Sequence, residues 1–367
     1  MNESQVPDSD IPVNTSPNEI KPMFDLSYHP DMRDVRGQLH NPSSMLFLLN
    51  KYHERTDSLP INSIELFHFR SEEAGYTVYN PAIVVIDDVL HLWGREELAG
   101  NKDTGGTVKL YVQSAQDGIW DHVEGSPVFA NLQDPFYCGV IGGFHIMGGV
   151  EIYKIQDSAD PGYRTVFYRY KELKDLIGKD GETAEPFARG PNGMKGVRLV
   201  ELEPNRIGVF TRPQGKDFGG RGRIGYYEIS SLYDLESSLT QYMQDKNIST
   251  LISGLFVSEE YGSEEWGGAN QVTLMADGKI FVLGHIAGFL GQSRIKAYFP
   301  MTFIFDPLTH KFTDYQIISS KREYPLQSSK FKSIGIVYYP AGFAKIHNKL
   351  MLIAGLGDCA IGAQKAR

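Results

Sequence analysis

Along most of the chain, apolar and polar residues alternate with a period of two rather than 3.6, the signature of half-buried strands. The alternation comes in pairs. A short apolar run meets a turn of two or three residues, and a second apolar run follows. The pairs begin at Ala82 (AIVVIDDVLHLWG), Cys138 (CGVIGGFHIMGG), Val197 (VRLVELEPNRIGVFTR), Asn270 (NQVTLMADGKIFVLGH) and Ala341 (AGFAKIHNKLMLIAG). Their turns carry Asp-Asp, Gly-Gly, Glu-Pro-Asn, Ala-Asp-Gly and His-Asn. Gly, Asn and Asp tolerate the positive φ that tight hairpins need.

Five such pairs start 56 to 73 residues apart. Each period leaves room for two more strands, and the runs at 163–173 and 298–307 read as outer strands. This repeat predicts an all-β fold, a five-bladed β-propeller. A β-sandwich with long loops is the alternative. Helical periodicity near the start is confined to Ser43–Asp57, where Ser43 or Ser44 serves as cap. Residues 1–42, rich in Ser, Pro, Asn and Asp, predict a disordered or loosely packed tail. Residues 43–367 then form a single propeller domain behind a short N-terminal helix.

Composition narrows the function classes. Net charge is −9 with no dense Lys/Arg run, which argues against nucleic acid or an anionic membrane as partner. No apolar stretch reaches membrane-spanning length, and the N-terminus does not read as a signal peptide. The two cysteines, Cys138 and Cys359, sit in apolar settings and imply no disulfide framework. Together these features predict a cytoplasmic protein. No Cys/His cluster has metal-ligand spacing, so neither a metal nor another cofactor is expected.

In a propeller the innermost strands line a central channel, so the residues leading into them converge. Here they are Tyr79-Asn80-Pro81, Gln133-Asp134-Pro135, Met194-Lys195 with Arg198, Trp266 to Asn270, and Tyr338-Tyr339-Pro340. Asp134 stands out. Pro135 has a fixed φ and biases the preceding residue away from helical geometry, so the carboxylate is held on stiff chain at a strand mouth. A turn Asp before a strand is the structural alternative. Residues 219–225, GGRGRIG, lack the strand–helix context of a dinucleotide fingerprint and read as a loop.

Several segments carry a resemblance. LQDPF (132–136), GGVE (148–151), YRTVFYR (163–169), GPNGMK (190–195), RLVEL (198–202), RIGVFTRPQG (206–215), GRGRIG (220–225), WGGAN (266–270), VLGHIA (282–287) and MTFIFDP (301–307) resemble the bacterial and trypanosomatid family known as domain of unknown function 1861. That family is similar to glycosyltransferase family 108, and in fold to the β-mannoside phosphorylases of glycoside hydrolase family 130. The match runs from about Tyr79 to Gly357 and implies a five-bladed propeller. It also implies inverting chemistry on β-1,2-linked mannose: phosphorolysis, or transfer from mannose 1-phosphate or GDP-mannose. The general acid of the related phosphorylases stands in an Asp-Pro segment, which assigns that role to Asp134. Two positions depart from the family pattern: Gly196, where an Asp follows Met-Lys, and Gln271, where a Glu follows WGGAN.

Phosphorolysis needs one acid and a site for a dianion, because phosphate is itself the nucleophile. Lys195, Arg198, Arg212 and His285 are the phosphate-binding candidates, with Arg95 and Arg169 behind them. Each has a structural alternative, such as pairing of Arg198 with Glu201 or Glu203. Sugar binding falls to planar polar and aromatic side chains: Asn80, Tyr137, Trp266, Asn270 and Tyr339, with Tyr79, Trp93 and Tyr338 as further platforms. The expected partners are mannose oligosaccharides with inorganic phosphate, mannose 1-phosphate or GDP-mannose. Two other readings stay open. A glycoside hydrolase on the same scaffold needs a second carboxylate, with Glu96, Glu151 and Glu265 as candidates. A non-catalytic carbohydrate-binding propeller needs none.

Overall fold

A computed structural model of the protein describes residues 42–99, 106–156, 158, 160–177, 185–214, 216–218, 221–256, 265–290, 295–320, 323 and 334–366. Apart from Pro42, the expected N-terminal tail lies outside these residues. The fold is mostly β, built from five successive antiparallel meanders. The first comprises Tyr76–Ile86, Val89–Leu98 and Thr107–Gln113, with the short strands Trp120–His122 and Phe129–Ala130. The second comprises Leu132–Ile141, Phe144–Tyr153, Gly162–Tyr170 and Ala188–Arg189. The third is Arg198–Glu203, Arg206–Thr211 and Gly225–Ile229. The fourth is Trp266–Leu274, Ile280–Leu290, Ile295–Asp306 and Lys311–Ile317. The fifth is Ile334–Ile346, Lys349–Leu356 and Ala360–Lys365, joined at its edge by Glu65–Leu66 from near the start of the described chain.

The hairpin turns follow from their residues. Asp87 and Asp88 have φ of 49° and 62°, Gly142 and Gly143 58° and 79°, and His347 and Asn348 47° and 61°. Two consecutive positive φ values match the right-handed twist of the flanking strands, and Asp, Asn and Gly accept them. Three of the five first hairpins are therefore closed by turn chemistry alone.

Among the described residues, hydrogen bonding links the strands into four sheets, not five. The third strand of the fourth meander begins early, at Ile295. Ala297 and Tyr298 pair in parallel with Ile336 and Val337, which fuses the fourth and fifth meanders into one eight-stranded sheet. A second departure from expectation is the helix Leu235–Gln244, which buries Leu235, Leu239 and Tyr242 against the second and third meanders. The expected early helix is present as Met45–Thr56. Ser44 caps it, its Oγ accepting from Phe47 N at 3.1 Å.

Packing repeats the order of the chain. Each of five apolar clusters lies between two meanders: first and second around Trp93, second and third around Phe167, third and fourth around Phe305. Leu283 and Leu352 join the fourth to the fifth, and Leu92 and Ile353 the fifth to the first. The first strand of each meander touches the first strand of the next, and the fifth touches the first. The mouths of these five strands are thereby brought together. No described helix is long and apolar enough to cross a membrane.

Candidate active site

Four of the five first strands are broken by a β-bulge at the same height. The register slips between Tyr79 and Ala82, between Gln133 and Phe136, between Ala269 and Gln271, and between Pro340 and Gly342. A bulge lifts its extra residue out of the ladder and re-aims the side chain. Asn80 and Asp134 are equivalent residues of the first two bulges. Each precedes a proline and each has φ of 44°. Asn and Asp are the non-glycine residues that best tolerate this region, and such backbone strain concentrates at functional sites.

The mouths surround a cavity of about 290 Å³, at the lower end of small-ligand pockets. Asn80, Gln133, Asp134, Lys195, Ala269 and Tyr339 line it from the first strands or the loops before them. Arg95 and His285 reach it from second strands, Arg212 and Asp358 from just beyond the ends of second strands, and Lys296 and Tyr298 from a third strand. The carboxylates belong to the second and fifth meanders, on either side of Asn80. The cations Lys195, Arg212 and Lys296 belong to the third and fourth. Arg95 is balanced within its own meander, where Glu97 Oε1 accepts its Nε–H at 3.0 Å and Tyr79 donates to Glu97 Oε2 at 2.7 Å. The cavity thus has an acidic part and a basic part.

Local packing fixes the basic side. Met194 is fully buried, and its carbonyl accepts from Thr165 N at 3.0 Å, which anchors the loop presenting Lys195. Lys195 Nζ lies 5.9 Å from the Tyr163 ring centroid. The Arg212 Nε–H donates to Gly267 O at 2.5 Å. Glycines shape its slot: a Cβ on Gly268 would stand 2.6 Å from Arg212 Cδ, one on Gly222 2.8 Å from Cζ, and one on Gly196 3.2 Å from Cδ. The Gly-rich segments around 196, 222 and 268 therefore make room for one guanidinium. Gly196 also has φ of +69°, and Gln271 accepts from Phe343 N at 3.1 Å, bracing the fourth meander against the fifth. Both departures from the family pattern have structural roles here.

His285 is buried, and its Nδ1 lies 2.7 Å from Asn270 Oδ1. With the Asn270 amide oriented this way, its oxygen accepts from an Nδ1 that carries the proton. Burial pushes the imidazole well below its usual pKa, and Arg212, Lys195 and Arg198 push the same way. The neutral imidazole has one ring nitrogen that donates and one that accepts, and Nδ1 is the one paired with Asn270. An uncharged His285 could meet the phosphate it was expected to bind only as a hydrogen-bonding group, not as a cation. Its titration also predicts a pH effect. The unfolded state, titrating near 6.5, binds the proton that the folded state refuses, so stability is complete above that value and falls with pH below it. The slope approaches about 1.4 kcal/mol per pH unit for one full proton. Urea unfolding between pH 7.5 and 5.5 should show this extra slope in the wild type and lose it in His285→Gln; equal slopes would refute the assignment.

Other expected site residues stand behind the cavity wall. The Arg198 guanidinium donates to Asn270 O at 2.6 Å and to Val197 O at 3.0 Å, and lies 4.2 Å from the Phe136 ring centroid. It is a strut between meanders, not a surface ion pair and not part of the cavity lining. Tyr137 pairs with His145 at 2.8 Å, and Trp266 Nε1 donates to Tyr298 Oη at 3.1 Å. Neither lines the cavity, nor does Asn270, whose oxygens serve His285 and Arg198. Arg169 stacks with Phe144, Phe187 and Tyr233 instead. Tyr79, Trp93 and Tyr338 are buried in the core. Of the expected aromatic platforms, Tyr339 alone lines the cavity; burial pushes its phenol up to about 12, with the Asp134 charge adding and Arg198 and Arg212 opposing.

The expected second carboxylates are engaged elsewhere. Glu96 accepts from Lys109 and from Tyr111 Oη, Glu151 from Arg164 Nε at 2.6 Å, and Glu265 from Met45 N at 2.9 Å. Asp358, which the sequence reading missed, supplies the cavity's other carboxylate among the described residues. It sits with Gly357 in the turn after Lys349–Leu356, with φ of 53°, and the turn is tied down by Gly357 N donating to Val337 O at 2.8 Å. Lys296 and Tyr298 were missed as well. Arg212 and Asp358 both lie just beyond the end of a second strand, so extending the search to those ends would have found Asp358.

The family model described as "Protein of unknown function (DUF1861)" matches residues 53–365. Among solved structures, the chain is similar to MPT-1, a GDP-Man-dependent mannosyltransferase from Leishmania mexicana, at 26% identity and a TM-score of 0.67, covering 88% of this chain and 94% of that one. It is similar in fold to MPT-4, a mannose phosphorylase from the same organism in complex with phosphate ion, at 23% identity and a TM-score of 0.68, covering 87% and 92%. A hypothetical protein from Leishmania major follows at 22% and 0.65, covering 87% and 94%. No curated protein sequence matches.

Proposed function

The chain belongs to the DUF1861 family, and from that premise we propose that it is an inverting mannosyl-transfer enzyme, a β-1,2-mannoside phosphorylase or mannosyltransferase on a five-bladed propeller. The cyclic contacts of the five first strands and the five inter-meander cores support the blade count. Similarity to a GDP-Man-dependent mannosyltransferase at 26% identity supports mannosyl transfer. One observation carries the reading: a single small cavity sets Asp134 against Lys195, Arg212 and Lys296.

In phosphorolysis, Asp134 gives its proton to the glycosidic oxygen as the C1–O bond breaks. A phosphate oxygen, held by Lys195 and Arg212, forms the new bond to C1 from the opposite face. In the synthetic direction an acceptor hydroxyl attacks C1 and yields its proton to the Asp134 carboxylate. The departing phosphate, or nucleoside diphosphate, takes its charge to the same cations. His285 and Tyr339 line the same cavity beside these groups. An inverting hydrolase is the weaker reading. Asp134 and Asp358 oxygens both accept from Asn80 Nδ2, at 3.1 and 3.4 Å, so they lie within about 6.5 Å of each other. Inverting hydrolases hold their carboxylates roughly 6.5–9.5 Å apart to admit water, and retaining ones roughly 5–5.5 Å, so a retaining hydrolase is left to the product assay.

The test is a product assay with β-1,2-mannobiose and longer oligomers, with and without phosphate, and with GDP-mannose as an alternative donor. Mannose 1-phosphate formed only with phosphate identifies a phosphorylase, and chain growth from GDP-mannose a transferase. Free mannose without phosphate would replace both with a hydrolase. Binding without turnover would leave a sugar-binding propeller.

A further inference from the structure

We propose that Asn80 is the positioning residue of the acid and that Asp358 acts through it, one amide holding two carboxylates as a fixed unit. The proposal rests on Asp134 being the acid. Asn80 Nδ2 has two hydrogens and faces two carboxylates, Asp134 Oδ1 at 3.1 Å and Asp358 Oδ1 at 3.4 Å. The reverse orientation would point a carbonyl oxygen at both anions, so the charges fix the amide.

Asn80 Oδ1 is turned inwards. It is buried and accepts no hydrogen bond among the described residues. It rests against Gly355, where a Cβ would stand 2.2 Å away and only 2.6 Å from Asn80 N. Glycine at 355 lets the first-strand bulge press this closely on the fifth meander. An orphaned buried oxygen is costly, and its presence here accompanies a donor held where the carboxylates need it. Both N–H bonds are committed and the oxygen is covered. On this proposal Asn80, expected from its strand-mouth position to bind sugar, serves as a positioning residue instead.

The consequence concerns where the proton sits. The carbonyl oxygen of a carboxylic acid is a better acceptor than its hydroxyl, so the N–H bond to Oδ1 favours the proton on Oδ2. On this proposal Oδ2 is the oxygen that delivers the proton. Asn80 makes the one hydrogen bond of the Asp134 side chain among the described residues, which leaves Oδ2 for the substrate. Asp358 takes the second N–H and keeps the amide from rotating away. Asp134 and Asn80 stand on equivalent bulges, so the repeat itself sets their side chains face to face.

The test separates positioning from sugar contact. Asn80→Asp keeps shape and tolerance of positive φ but, when ionised, cannot donate. It should lower kcat roughly 100-fold, the scale of an ångström-sized misplacement, with the sugar KM changed less than about threefold. Gly355→Ala, which displaces Asn80 from behind the cavity wall, should reproduce the kcat loss. Asp358→Ala should lower kcat by about tenfold, and Asp358→Asn, which still accepts a hydrogen bond, should restore part of it. A crystal structure of Asn80→Asp should show the Asp134 carboxylate rotated, a readout independent of turnover and of any folding loss in Gly355→Ala. A raised KM with kcat intact, or an unmoved Asp134, would overturn the proposal. If Asp134→Asn is inactive while Asn80→Asp keeps its kcat, only this inference falls. If Asp134→Asn remains active, the acid assignment falls and takes the inference with it.

Discussion

Asp134→Asn is expected to lower kcat for phosphorolysis of β-1,2-mannobiose by about 100- to 10,000-fold, the range a positioned general acid contributes. Sugar and phosphate KM should stay within a few-fold. The substitution is close to isosteric. Asparagine tolerates the φ of 44° at this bulge, and its own Oδ1 still accepts from Asn80. The proton is the only catalytic element removed. Asp134→Ala would be a poorer test, because alanine in this backbone region costs roughly 1–2 kcal/mol by itself. The decisive comparison uses a mannoside whose leaving group is a weak base, such as a dinitrophenolate. That group departs without protonation, so the deficit of Asp134→Asn should shrink by at least tenfold on it. An equal deficit on both substrates would mean that Asp134 binds or braces rather than protonates.

The sequence disclosed this site unevenly, for physical reasons. Asp134, Lys195, Arg212 and Tyr339 were legible because the period-two pattern marks each strand and Pro or Gly marks its mouth. The topology then brings the mouths together. What alternation cannot show is which side of the wall a residue takes after a bulge. Arg198 and Asn270 lie at the mouths, yet register carries their polar groups behind the wall, where they bind each other. His285 was legible as a residue but not as a charge state. Its neutrality comes from burial among cations contributed by distant segments. Asp358 was overlooked because Gly-Asp after an apolar strand is ordinary turn chemistry, and its use depends on Asn80, 278 residues away. The fusion of two meanders was likewise invisible, since parallel pairing at Tyr298 and Val337 leaves no local signal.

Arg212→Ala is expected to raise the KM for phosphate by about 30- to 150-fold, the equivalent of 2–3 kcal/mol for charge-assisted hydrogen bonds to an anion. The direction of reaction decides where the loss is read. Phosphate enters phosphorolysis as a dianion and gives up charge at the transition state, so the loss falls on KM. In synthesis the departing phosphate gains charge at the transition state, so the same substitution should lower kcat. Arg212→Lys should recover only part of either loss. The slot bounded by Gly196, Gly222 and Gly268 fits a planar guanidinium, whose Nε–H is committed to Gly267 O, and an ammonium provides no fork. Thermal unfolding gives a readout without turnover. A ligand at 100 times its Kd stabilises the folded state by about 2.7 kcal/mol, so phosphate should raise the wild-type Tm by several degrees. At the same concentration Arg212→Ala should show little rise. Without phosphate the variant loses the bond to Gly267 O but also sheds a positive charge lodged near Lys195, and these effects oppose each other. The phosphate-induced shift, rather than the Tm itself, is therefore the quantity to compare. A full shift in Arg212→Ala would remove this residue from the anion site and leave Lys195 and Lys296 to hold it.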